Sequence, residues 1–226
     1  MKLLKPHLDL GLFTNDIAAH SNFWGQVVGL RLDHELPVKR GWVQHRYDAH
    51  DSVIKVNVRD ETLVELPPSG YAGLTIARDS KQAWEGTHPG GGFVRIVPNG
   101  TDGVIGIGIT ITTSGIARLR DFYIEVMEFE PLPGNRARCG DTILFFEQGP
   151  SAAHTEDFAG PNYRYTTLQI EDCDAICDLV VSRGGSLKQA PQTLGDVARY
   201  AMVSDPDGNW IEISARASLG GKLTPP

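Results

Sequence analysis

The chain has 226 residues, 41% of them hydrophobic and 22% charged, with a formal net charge of -7. That acidic balance excludes the Lys/Arg stripes that hold nucleic acid. Three cysteines exclude a disulfide framework, and the lack of a long apolar run excludes a membrane-spanning helix. The length suits two domains of roughly 110 residues, and reduced cysteines without an apolar leader after Met1 point to a cytoplasmic protein with no membrane partner.

Leu8, Leu10 and Leu12 alternate with His7, Asp9, Gly11 and Phe13, which predicts a half-buried strand. Thr14 or Asn15 is placed to cap a helix carrying Ile17, Phe23, Trp24, Val27 and Val28, which ends at Gly29. Strands are expected near 31–36, 42–47 and 52–58, the last with Ile54, Val56 and Val58 opposing Val53, Lys55 and Asn57. This is a β-α-β-β-β unit. After a Pro-bearing connector over 61–69, a second unit opens at 71–77 and closes at 92–97. Residues 79–85 leave room for only two helical turns, so this unit is expected to be abbreviated.

The turn formers at 98–103 mark the expected boundary between domains spanning 1–98 and 104–216, with 217–226 as a tail. Ile105, Ile107, Ile109 and Ile111 then open a third unit. Ser114 is placed to cap a helix along Ile116, Leu119, Tyr123 and Val126, and 142–147 reads as a late strand. A loop over 149–161 carries His154. The fourth unit opens at 163–170, Asp172 caps a helix to Val181, and 197–203 is a strand. In the closing stretch, Ser204-Asp205-Pro206-Asp207-Gly208-Asn209 is turn chemistry, and Trp210, Glu212 and Ser214 alternate with Ile211 and Ile213. The stretch 87–97 matches 204–214 position for position, with Arg95 where Glu212 stands. The chain is an internal duplication.

The aliphatic face of each strand belongs to the helices, so its other face looks either to solvent or into a concavity. In the second half that face carries Gly106, Gly108 and Thr110; Ile143, Phe145 and Glu147; Tyr163, Tyr165, Thr167 and Gln169; and Trp210, Glu212 and Ser214. So much aromatic surface with a few polar groups suits the wall of a small-molecule pocket, with Phe145, Tyr163 and Trp210 as its binding residues.

Three groups of residues carry a family resemblance: Asn15-Asp16-Ile17 leading to Phe23-Trp24 and Val28-Gly29-Leu30; Phe122-Tyr123 with Val126; and above all Asp205-Pro206-Asp207-Gly208-Asn209-Trp210-Ile211-Glu212. In these the chain resembles the vicinal oxygen chelate superfamily of glyoxalases, bleomycin-resistance proteins and extradiol dioxygenases. The resemblance implies an α+β fold of four βαβββ modules forming two cup-shaped mixed sheets with helices outside. It also implies two fused glyoxalase-type domains that associate further as a homo-dimer.

Family members that use a metal draw ligands from the first and last strands of paired units. Carried over, those places hold Gly108, Glu147, Tyr165 and Glu212 in the second half, and Asp9, Asn57, Tyr71 and Arg95 in the first. The histidines of the family's iron and zinc sites are missing. Glu147 and Glu212 are then the metal candidates, in a set that suits Mg²⁺ or Mn²⁺ better than Zn²⁺ or Fe²⁺. An Asp9–Arg95 ion pair is expected to stand in for a metal in the first half.

Glu147 and Glu212 in one cup would form a general base and its partner, with Tyr165 donating a proton or hydrogen bond. That points to a lyase or isomerase acting on a small oxygenated molecule, with Glu212, Glu147 and Tyr165 as catalytic residues. The alternative is a metal-free protein that sequesters a small molecule, and a ring-cleaving dioxygenase stands third. Arg136 and Arg138, two apart on one strand, are placed to meet an anion or solvent. Cys139, Cys173 and Cys177 are expected in the core.

Overall fold

The computed structural model describes residues 1–79 and 82–224. The first unit comprises β1 (Asp9–Thr14), α1 (Ile17–Ser21), β2 (Arg31–Lys39), β3 (Trp42–Ala49) and β4 (Ser52–Arg59). The second has β5 (Tyr71–Arg78), β6 (Trp84–Thr87) and β7 (Phe93–Pro98). The third has β8 (Ile107–Thr113), α2 (Ile116–Asp121), β9 (Glu130–Leu132), β10 (Arg136–Cys139) and β11 (Thr142–Gln148). The fourth has β12 (Asn162–Gln169), α3 (Cys173–Ser182), β13 (Ser186–Leu194), β14 (Ala198–Ser204) and β15 (Trp210–Arg216). Of the helix expected over 79–85, residues 80 and 81 lie outside the described residues, and Trp84 and Glu85 belong to β6.

α1 begins at Asp16, whose carboxylate accepts the Ala19 N–H at 2.9 Å, so the cap lies one residue beyond the expected Thr14 or Asn15. Asp172 caps α3 as its spacing predicts. α1 and α2 each run on into wide π-helical turns, Asn22–Val27 and Phe122–Val126. Those turns bury the adjacent pairs Phe23/Trp24 and Phe122/Tyr123.

In every unit the first strand pairs parallel with the last: β1 with β4, β5 with β7, β8 with β11, β12 with β15. Parallel neighbours need a crossover, and in three units the helix supplies it. The units then pair in an order the sequence reading does not anticipate. An eight-stranded sheet runs β13-β14-β15-β12-β1-β4-β3-β2, and a seven-stranded one runs β6-β7-β5-β8-β11-β10-β9. The first unit therefore shares a sheet with the fourth, and the second with the third. The antiparallel seams are β1 against β12, with Asp9 opposite Thr167, and β5 against β8, with Leu74 opposite Ile109. Each cup draws one unit from each half of the chain, which corrects the expectation that consecutive units share a cup.

The aliphatic faces of both sheets and the three helices contribute to one core that includes Leu10, Leu12, Ile54, Val56, Leu74, Ile109, Leu144, Ile211 and Ile213. Burying each such side chain contributes about 1.5–3 kcal/mol. The closing turn fastens the units to one another. The buried Asp205 carboxylate accepts the N–H groups of Asp207 and Asn209 at 3.0 and 2.9 Å and the Tyr123 hydroxyl at 3.1 Å, and Gly208 takes φ 92°. Asn209 Oδ1 accepts the Gly70 N–H at 2.6 Å, tying the fourth unit to the second. At the matching place in the other copy stands His88, whose Nδ1 accepts the Gly90 N–H at 3.0 Å while Nε2 faces Asn162 Oδ1 at 2.9 Å. An imidazole there does the work of a carboxylate.

Candidate functional site

A layer of charge lines the concave face of the eight-stranded sheet. Strand alternation turns Asp9, Gly11 and Phe13 of β1, Lys55 and Asn57 of β4, Tyr165 and Thr167 of β12, and Glu212 of β15 away from the core. Lys55 Nζ donates to Glu212 Oε2 at 2.8 Å and to Thr167 Oγ1 at 2.7 Å, and lies 3.7 Å from Asp9 Oδ2. Thr167 donates to the same Glu212 oxygen at 2.6 Å. Asp9 Oδ1 accepts from Lys5 Nζ at 2.7 Å and from the Val53 N–H at 2.9 Å.

These contacts set the charge states. Burial works against ionising Glu212, yet the charge and hydrogen bond of Lys55 and the Thr167 hydroxyl hold it below the usual carboxylate range. Burial opposes ionisation of Asp9 as well, and the charges of Lys55, Lys5 and Arg46 outweigh it. Lys55 itself is lowered, chiefly by burial, against the raising effect of Glu212 and Asp9.

Tyr165 lies flat over β1. A Cβ at Gly11 would come within 2.1 Å of its ring, so only glycine lets the ring cross the strand there. Its hydroxyl accepts from Asn57 Nδ2 at 3.0 Å, and burial followed by the charge of Glu212 pushes the phenol up, keeping it protonated. Asn57 Oδ1 in turn accepts from Trp42 Nε1 at 3.0 Å and Gln44 Nε2 at 2.9 Å. Above this polar floor stands a narrow cleft of about 70 Å³ whose apolar walls include Leu36, Trp42, Phe158, Leu194, Tyr200 and Met202. Phe158, on the 149–161 loop, packs on Phe13, Tyr165 and Trp210 and covers one side; His154 of the same loop is exposed.

The residues singled out from the sequence are divided between the cups. Glu212 and Tyr165 meet at the floor of this cleft. Trp210 lies beneath Phe158 with its Nε1 donating to Thr155 Oγ1 at 3.2 Å, so it supports the wall from behind. Tyr163 is fully buried against His88, its hydroxyl donating to the Phe93 carbonyl at 3.3 Å, and does not line the cleft. Glu147 and Phe145 line a different hollow, on the seven-stranded sheet. Glu147 is exposed there and stands on another sheet from Glu212, so the two carboxylates form neither a base and its partner nor a shared metal site. The Asp9–Arg95 pair is ruled out on the same ground: Arg95 pairs with Asp102 at 3.3 Å, in the other cup. Tyr71 leaves the ligand positions through a register shift between Tyr71 and Gly73, and its hydroxyl crosses the core to the Trp210 carbonyl at 2.9 Å. Arg138 is held by Glu130.

The fold family implies a divalent metal in some members, and the donors here do not fit one. Among the described residues no three His, Cys, Asp or Glu side chains converge. The two carboxylates that do approach each other, Asp9 and Glu212, already share the Lys55 ammonium. The sequence alone does not single out Lys55, although a lysine on the cup side of a strand, between Ile54 and Val56, is the signal that finds it.

Residues 107–213 match the model of the Glyoxalase/Bleomycin resistance protein/Dioxygenase superfamily. No curated protein matches the chain. Glyoxalase I from Zea mays is 12% identical with a TM-score of 0.70, over 94% of this chain and 92% of that one. A protein from Bacillus subtilis subsp. subtilis str. 168, provisionally assigned as a dioxygenase, is 13% identical with a TM-score of 0.68, over 100% and 92% of the two chains. At such identities the likeness is one of fold. Among the described residues no helix is long and apolar enough to cross a membrane.

Proposed function

With a glyoxalase-superfamily domain over 107–213 and that fold along the whole chain, we propose that the protein binds a small organic molecule in the cleft of the eight-stranded cup, without a divalent metal. The observation that carries this reading is the Lys55 ammonium seated between Glu212 and Asp9. A fixed cation at that place neutralises the two carboxylates that a metal would need. The apolar walls supply affinity through buried area and aromatic contact, and the polar floor supplies orientation.

The second reading is a lyase or isomerase. It draws support from Tyr165, Lys55 and Glu212 lining one cleft, where the protonated phenol is suited to donate to an enolate or leaving oxygen. Glu212 is a weak base in that scheme, because its ionised form is already stabilised by two hydrogen bonds. The dioxygenase reading requires two imidazoles that the cup lacks, since Asp9 and Tyr165 stand in their places.

A fluorescence titration with phenylnaphthylamine, a neutral aromatic probe, tests the binding reading. Saturable binding of equal affinity in chelator and in excess Mg²⁺ supports it, as does loss of binding in Ala198→Phe, which narrows the cleft. Binding that appears only with metal contradicts it. Glu212→Gln separates the two functions: an acid–base enzyme loses turnover, whereas a binding protein keeps its affinity for a neutral ligand.

A further inference from the structure

Two arginines on the floor of the same cup have no ionic partner. Arg46, on β3, is 5% exposed; its Nη1 donates to Gln44 Oε1, and its Nε has no hydrogen-bond partner. Arg216, at the end of β15, is half-buried, and its Nε is likewise unpartnered. Among the described residues neither guanidinium has a carboxylate within ion-pair distance. They lie near enough for Arg46 to bear on Arg216: burial first, and Arg46 second, lower the affinity of Arg216 for its proton, against the raising effect of Glu212 and Asp9. The carboxylates around them have other partners: Lys5 and Lys55 stand beside Asp9, Lys55 beside Glu212, and Arg31 beside Asp33 and Asp48.

Buried polar groups in folded proteins are normally hydrogen-bonded, and a buried charge is normally paired. Two adjacent, partly desolvated guanidiniums with orphaned N–H groups cost stability, and forks of this kind match the geometry of oxyanions. Arg216 lines the apolar cleft, and both arginines line a second hollow beside it. A ligand with its body between Trp42 and Tyr200 therefore has an oxyanion site within reach.

We propose that the ligand of this cup is an organic anion, an apolar body bearing one carboxylate or similar oxyanion that binds between Arg46 and Arg216. This rests on the small-molecule reading given above and narrows it to a chemical class.

The test compares two probes with the same aromatic body, anilinonaphthalene sulfonate and its sulfonate-free parent phenylnaphthylamine. Wild type is expected to bind the sulfonate about tenfold more tightly than the parent, the value of one charge-assisted contact. Arg216→Gln is expected to remove that preference, Arg216→Lys to keep part of it, and Arg95→Gln, in the other cup, to leave both affinities as they were. Because the arginines repel each other, Arg216→Gln is also expected to raise the Tm of the ligand-free protein, a readout independent of binding and a check that the variant folds. Equal affinities for the two probes in wild type overturn the anion assignment and leave the cup reading standing. A preference that survives Arg216→Gln overturns the assignment likewise. If neither probe binds, the cup reading fails and takes the anion assignment with it.

Discussion

Replacing Lys55 with methionine keeps most of the side-chain volume and removes the one cation shared by the buried Asp9 and the partly exposed Glu212. Glu212 would lose a 2.8 Å partner and Asp9 a 3.7 Å one, with Lys5 still beside Asp9 and Thr167 still beside Glu212. Breaking a buried pair in this way costs about 3–5 kcal/mol, because a charge is left uncompensated in a low-dielectric site. In a chain of this length that is a fall in Tm on the order of 10 °C. The pH dependence follows from the same contacts. In wild type both carboxyls are held below their usual range, so their contribution is present above that range and is lost as pH falls through it. In Lys55→Met, burial dominates and raises them, so the deficit is full at neutral pH and shrinks in acid as they protonate. Urea unfolding of both proteins at pH 7 and pH 4 measures this. A difference below about 1 kcal/mol at pH 7, the value of an exposed pair, or one that grows at pH 4, refutes the argument.

Two other perturbations follow from the packing. His20 and His88 are buried and neutral, with pKa values lowered by burial from 6.5 to about 4 and about 3. Their contribution is present above pH 6.5 and is lost as pH falls, by about 2 kcal/mol each at pH 5. Asp205, raised by burial to about 6, works in the opposite sense and offsets about 1 kcal/mol of that loss. Stability is thus expected to fall between pH 7 and pH 5, with a clearly shallower slope in His88→Asn; an unchanged slope shows that His88 does not titrate on unfolding. Gly11→Ala drives a methyl group into the Tyr165 ring, which must swing into the cleft. A loss of about 1–3 kcal/mol and much weaker probe binding are expected, and wild-type affinity in this variant counts against Tyr165 as part of the floor.

The units themselves are legible in the sequence because strand alternation and turn residues are local signals. Leu8, Leu10 and Leu12 against Asp9, Gly11 and Phe13, or Ile211 and Ile213 against Trp210 and Glu212, predict both the element and its face, and the structure agrees. Which unit pairs with which is not local. All four units open on a strand that pairs parallel with their last, so the alternation at Asp9 is satisfied by β12 as well as by β5. That ambiguity accounts for the divided site: Glu147 and Glu212 occupy equivalent places, and only the pairing of the units decides that they face different cups. Tyr71 and Tyr165 share the spacing Tyr-x-x-Leu-x-Ile, yet a register shift in β5 sends Tyr71 into the core. Lys55 was assignable to a cup face from the sequence. Its role emerges only once the first and fourth units bring Asp9 and Glu212 to either side of it.

Lys55 holds the position between these carboxylates that a divalent metal would need, and metal analysis tests that role. Protein purified without chelator is to be assayed for bound metal and titrated calorimetrically with Mg²⁺, Mn²⁺, Zn²⁺ and Fe²⁺, alongside Glu212→Ala. The predicted result is far less than one metal per chain and no saturable binding that Glu212→Ala abolishes. Near-stoichiometric metal that disappears in Glu212→Ala would contradict it, since Lys55 would then have to leave the carboxylates it is seated between.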